Sequence, residues 1–210
     1  MRALLIVDVQ NDFIPGGALE VPEGDQIIPV INSIIPKFDL VVASQDWHPA
    51  DHKSFAISHS DRDIGEIVDL NGLPQILWPV HCVEGSNGAE FVDALDQSSI
   101  KKVFKKGTDK EVDSYSSFYD NDKRHDTGLN QYLKDNNVEE VFIVGLATDY
   151  CVKYTALDAK SSDFKTYVIE DATRGVNLRE NDVENAFTDL RVSGIKVIQS
   201  TALESVFEGE

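Results

Sequence analysis

The apolar residues of this chain fall into short unbroken runs, separated by stretches in which they return every three or four positions. Ala3-Leu4-Leu5-Ile6-Val7 is the first run and ends at Asp8; Leu40-Val41-Val42-Ala43 is the second. A third, weakly apolar, covers 102–105 and ends at Lys106-Gly107, and Val141-Phe142-Ile143-Val144 is the fourth. Runs at 166–169 and 195–198 complete the series. Unbroken apolar runs of this length read as strands buried on both faces. Between them, helical spacing is kept by Ile27, Val30, Ile31, Ile34 and Ile35, by Leu129, Tyr132 and Leu133, by Val152, Thr155, Ala156 and Ala159, and by Val183, Ala186, Phe187 and Leu190. Gly194 stops the last of these helices. Strands alternating with helices predict an α/β fold with a parallel sheet covered on both sides. Residues 53–99 keep no clear period and read as a long, loop-rich excursion, and 108–126 as a second polar loop; loops this long inside a domain are usually functional.

In such sheets ligands bind beyond the carboxyl ends of the strands, and the reactive residue types collect there. Asp8 ends strand one, Asp46 and His48 follow strand two, Lys106 follows strand three and Cys151 follows strand four. Cys151 lies just after a predicted strand-to-helix turn near 147–149, with Thr148 or Asp149 as N-cap. Unpaired N–H groups and the helix dipole there favour negative charge and lower a thiol's pKa. The competing reading is an inert buried thiol. Asp8 is a general base if it lies beside Cys151, able to take the thiol proton and return it to a leaving amine; otherwise it ends a strand or pairs with a surface lysine. Lys106 is either a cation for both groups or one more solvated lysine beside Lys101, Lys102 and Lys105. Asp46 and His48, two apart in an extended segment, point the same way. With His81 as third ligand, or His52 as second choice, they suit Zn, Fe or Mn better than Ca or Mg. Phe13, Trp78 and Tyr115 are core aromatics or pocket walls. Cys82 is assigned to the core.

Composition narrows the function. A chain of 210 residues suits one domain spanning 1–210. A formal net charge of −18 speaks against nucleic acid and anionic membranes as partners. No apolar run reaches the roughly 18 residues of a membrane span. Two cysteines make no disulfide framework and point to the reducing cytoplasm.

Several motifs occur in a telling order: Ile6-Val7-Asp8-Val9-Gln10-Asn11-Asp12-Phe13, Asp46-Trp47-His48-Pro49, Trp78-Pro79-Val80-His81-Cys82-Val83, Lys106-Gly107, Asp113-Ser114-Tyr115-Ser116-Ser117-Phe118 and Gly145-Leu146-Ala147-Thr148-Asp149-Tyr150-Cys151-Val152. Over nearly the whole chain this pattern resembles the nicotinamidases, or pyrazinamidases, of the isochorismatase-like cysteine hydrolases. The Cys151 segment carries only the wider superfamily; the Asp46–His48 and Trp78–Cys82 motifs carry the narrower likeness. Leu146, where that family more often has Val or Ile, is a conservative departure.

The resemblance implies a three-layer α/β/α fold with a six-stranded parallel sheet. It implies a catalytic set of Asp8, Lys106 and Cys151, with an oxyanion hole from the amides of Ala147 and Cys151 and a cis peptide at Leu146-Ala147. It implies one divalent transition metal, zinc first with iron or manganese as alternatives, on Asp46, His48 and His81, with His52 open as a further ligand. Phe13, Trp78 and Tyr115 would bound the substrate, nicotinamide, in NAD salvage, with pyrazinamide also accepted. Homo-oligomer formation is left open. The alternatives are a related amidohydrolase acting on carbamoyl or ureido compounds, an isochorismatase, or a catalytically inert binding module.

Overall fold

The computed structural model describes residues 1–209. The elements follow in chain order: β1 (Arg2–Val7), α1 (Ile27–Ile34), β2 (Leu40–Asp46), β3 (Ile67–Leu70), β4 (Leu73–Ile76) and β5 (Ile100–Lys106). Then come α2 (Leu129–Asp135), β6 (Glu140–Leu146), a single π-helical turn (Thr148–Val152), α3 (Lys153–Ser161), β7 (Lys165–Arg174), α4 (Asp182–Val192), β8 (Lys196–Ile198) and α5 (Leu203–Glu208). All six predicted strands are present, and they form one parallel sheet in the order β5-β2-β1-β6-β7-β8.

Alternation along β1 shows how the layers are built. Leu4 and Ile6 enter one apolar cluster, which includes Ile27, Ile28, Ile31 and Ile34 of α1. Ala3, Leu5 and Val7 enter the other, with Leu129 and Leu133 of α2, Ala156 and Ala159 of α3, and Leu190 of α4. Each inner strand is apolar on both sides because each side is covered. β5 is a sheet edge and exposes Lys101, Lys102 and Lys105. Its weak apolar signal is that of an edge kept from pairing by charge.

The excursion over 53–99 holds an element its composition hides, the β3–β4 hairpin. Asn71 and Gly72 form its two-residue turn with φ of +56° and +88°, the left-handed pair that an Asn-Gly dipeptide accommodates best. α5 was also not foreseen, and β7 runs well past the predicted 166–169 to Arg174.

The strand order reverses direction at β1, which pairs with β2 on one side and β6 on the other. Such a switch point opens a crevice above the strand ends. Asp8 leaves β1 there and Ala147 leaves β6.

Candidate active site

The last pair in the β2–β5 register is Asp46 and Lys106. This neighbouring position, set by the backbone ladder alone, starts the site. Lys106 is fully buried, and its ammonium touches the Asp46 carboxylate, Asp8 Oδ2 at 2.9 Å, the Ser114 carbonyl oxygen at 2.8 Å and Cys151 Sγ at 3.4 Å. Asp8 comes from the neighbouring strand end, with its backbone in the left-handed region at φ +50°. Asp8, Asp46 and Cys151 bring their reactive atoms within 4.8 Å of one another. Four strand ends thus deliver the acid, the lysine, the second acid and the thiol to one point, as expected.

Burial pushes the Asp8 carboxyl above its ordinary range, although Lys106 pulls the other way. Asp46 also feels burial, but Lys106 and His48 outweigh it and hold its carboxyl well below the usual value. Lys106 loses solvation, and its two carboxylate neighbours more than compensate, so it stays charged.

The thiol departs from expectation. Burial raises the Cys151 pKa well above the ordinary thiol value, and Lys106 reverses this only in part. The expected N-cap is also absent: Ala147 stands at the cap position. Thr148 Oγ1 bonds Thr173 Oγ1 at 2.8 Å, and Asp149 accepts from the amides of Val176 and Asn177 at 3.0 and 2.7 Å. The resting thiol is therefore neutral, and its reactivity depends on a base. The Leu146–Ala147 peptide is cis.

Beside this group lie Asp46, His48 and His81, all buried, with ligand atoms within 4.8 Å of one another. Asp46 Oδ2 stands 3.5 Å from His48 Nε2 and 3.7 Å from His81 Nε2. His48 Nδ1 lies 2.9 Å from the Gly107 carbonyl, and His81 Nδ1 lies 2.8 Å from the Pro79 carbonyl. A carbonyl only accepts, so each Nδ1 carries the proton and each Nε2 presents a lone pair to the centre. His48 Nε2 is buried and has no hydrogen-bond partner among the described residues. Burial disfavours charge on this ring, yet Asp46 wins and its pKa is raised; the position seeks a cation. These donors fit a divalent transition metal, and carbonyl-anchored imidazoles are the usual outer support of such a site.

His52 stands beside His48, with ring centroids 4.5 Å apart. Its Nδ1 bonds Ser54 Oγ at 2.8 Å, its Nε2 is buried without a hydrogen-bond partner among the described residues, and it groups with His48 and Asp113 rather than directly with Asp46 and His81.

The pocket above the thiol is lined by Phe13, Trp78, Tyr115, Ala147 and Cys151, with Asp46 and His81 at one side. Its space of about 390 Å³, open mouth included, suits one small ring. Trp78 Nε1 donates to the Tyr115 hydroxyl at 3.2 Å, locking two walls together.

Sequence reasoning missed several participants. Leu19, Tyr150 and Val176 also line the pocket. Gln10 is fully buried; its side chain donates to the Asp46 carbonyl at 2.8 Å and accepts from the Asp46 amide at 2.8 Å, fixing the backbone of that residue. Gly107, at φ +65°, packs so closely on His48 that a Cβ would sit 2.3 Å from the ring. Its place beside Lys106 was a signal that only the fold explains.

Residues 2–202 match the model of the isochorismatase domain. The chain is 48% identical over 197 residues to a nicotinamidase of Escherichia coli, covering 92% of each. A nicotinamidase of Acinetobacter baumanii superposes with a TM-score of 0.93 at 44% identity, over 96% of this chain and 97% of that one. A Pyrococcus horikoshii pyrazinamidase solved in complex with zinc superposes with a TM-score of 0.76 at 40% identity, over 94% and 98%. The chain belongs to the isochorismatase family.

Proposed function

We propose that this protein hydrolyses nicotinamide to nicotinate and ammonia through a thioester on Cys151, as a step of NAD salvage in the cytoplasm, and that pyrazinamide is a second substrate. One observation carries the reading: a single buried ammonium, Lys106, bridges Asp8, Asp46 and the Cys151 sulfur next to a trio of donors fitted to a metal.

Phe13, Trp78 and Tyr115 bound the substrate ring. A divalent metal, zinc first with iron or manganese as alternatives, would be held by Asp46, His48 and His81 and would supply Lewis-acid chemistry beside the ring. Asp8 takes the proton from Cys151 as the sulfur adds to the carboxamide carbon. Its raised pKa brings its basicity closer to that of the thiol, which eases the transfer. The amides of Ala147 and Cys151 hold the oxyanion, a contact worth about 3–4 kcal/mol in comparable sites. The proton on Asp8 then moves to the departing nitrogen, and ammonia leaves. Asp8, again a carboxylate, takes a proton from water. The hydroxide adds to the thioester, the C–S bond breaks, nicotinate forms, and the proton returns to sulfur. Lys106 stays charged throughout and holds both acids in place.

Incubation of metal-loaded protein with nicotinamide is expected to release ammonia, and Cys151→Ala to abolish release. A folded, metal-loaded protein that yields no ammonia refutes the assignment.

A further inference from the structure

Behind Asp8 runs a chain of buried hydroxyls. Ser44 Oγ donates to Asp8 Oδ1 at 2.7 Å, Ser117 Oγ donates to Ser44 Oγ at 2.9 Å, and Thr155 Oγ1 donates to Ser117 Oγ at 3.1 Å. All four residues are completely buried. They come from four separate parts of the fold: the end of β1, β2, the 108–126 loop and α3. Thr155 lies one helical turn beyond Cys151, so the chain links the helix that follows the nucleophile to the base that serves it.

The direction of this chain is forced. An ionised carboxylate only accepts, so Ser44 must give its one proton to Asp8. Ser44 then accepts from Ser117, and Ser117, its proton used, accepts from Thr155. The Ser117 amide donates to Thr155 Oγ1 at 2.9 Å, which anchors the far end as an acceptor of that N–H and a donor toward Ser117. Asp8 Oδ1 already accepts the Ser44 proton, whereas Oδ2, the oxygen facing Lys106, has no hydroxyl behind it, so a proton arriving on Oδ2 leaves the hydroxyl chain as it is.

We infer that the Thr155–Ser117–Ser44 chain is a positioning device that reserves Asp8 Oδ2 as the oxygen exchanging the proton with Cys151. Linked hydroxyls polarise one another, so the arrangement acts as a unit. This inference rests on the proposed role of Asp8 as the base for Cys151. It gives Ser44, Ser117 and Thr155 a part in the reaction although none of them touches the substrate.

The test uses full-length metal-loaded protein and two readouts: ammonia release from nicotinamide, and the rate at which iodoacetamide alkylates Cys151. Ser44→Ala is expected to lower kcat about 10-fold to 100-fold, the scale on which misplaced general bases fail, with KM little changed and alkylation slowed in parallel. Thr155→Val keeps the side-chain shape and removes the hydroxyl, and is expected to lower kcat several-fold; Thr155→Ser keeps the hydroxyl and restores it. Ser117→Ala supplies an independent break should Ser44→Ala not fold, as judged by thermal melting. Folded Ser44→Ala or Ser117→Ala with unchanged kcat, a loss confined to KM, or Thr155→Ser as impaired as Thr155→Val would each overturn the inference. If the wild-type protein releases no ammonia, the proposed substrate is wrong, while alkylation still decides whether the chain serves the thiol.

Discussion

Cys82 and Cys151 make an instructive pair. Both are free and buried, both lie beside the same acidic residues, and burial raises the pKa of both. By resting acidity neither is a reactive thiol. Their neighbours separate them. Cys82 Sγ faces the Gly88 carbonyl at 3.8 Å, while its backbone amide donates to Asp12. Cys151 has the Lys106 ammonium at 3.4 Å, a carboxylate at hand and a pocket in front. In the proposed mechanism, reactivity lies in the company of a base and a cation rather than in a thiolate waiting in advance: burial keeps the thiol protonated until Asp8 takes the proton.

Three experiments press on this contrast. Lys106→Met removes what Cys151 has and Cys82 lacks. It leaves Asp8 and Asp46 buried without their shared cation, a loss of about 3–5 kcal/mol in comparable cases, to be read as a large fall in melting temperature. Ammonia release should drop at least about 100-fold in whatever remains folded; a stable, active variant would show that the cation is dispensable.

Asp8→Asn removes only the base. Asp8 also raises the thiol's pKa, so in Asp8→Asn only burial and Asp46 stand against Lys106, and the thiol should ionise more readily than in the wild-type protein. Ammonia release should nevertheless fall at least about 100-fold, because no group is left to carry the proton to the departing nitrogen. Release close to the wild-type rate would refute the contrast.

Cys82→Ala should cost roughly 1 kcal/mol in a denaturant titration, as for a small core truncation, and leave kcat unchanged. A marked loss of activity would move Cys82 from packing into the site.

The sheet was legible because a parallel, doubly covered strand must be apolar throughout, and β1, β2 and β6 are. β5 was faint because an edge needs charge. The β3–β4 hairpin was written in Asn71-Gly72 but lay among polar residues that mask alternation. Asp8, Asp46, His48, Lys106 and Cys151 were legible because strand ends converge by topology. Gln10, Ser44, Ser117 and Thr155 were not, because a buried hydroxyl or amide acquires meaning only from a partner 36 or more positions away. The acidity of Cys151 was misjudged for a related reason. A helix start is visible in the sequence, but the depth at which it is buried is not.

The complete burial of Lys106 has a consequence for the rest of the molecule. Mobile ions screen exposed charges within about a Debye length and reach enclosed ones far less. The ion pairs that Lys106 makes with Asp8 and Asp46 are therefore insulated from the electrolyte outside. The protein can meet a saltier or fresher medium without those pairs loosening, even as the contacts between its exposed charges weaken or strengthen.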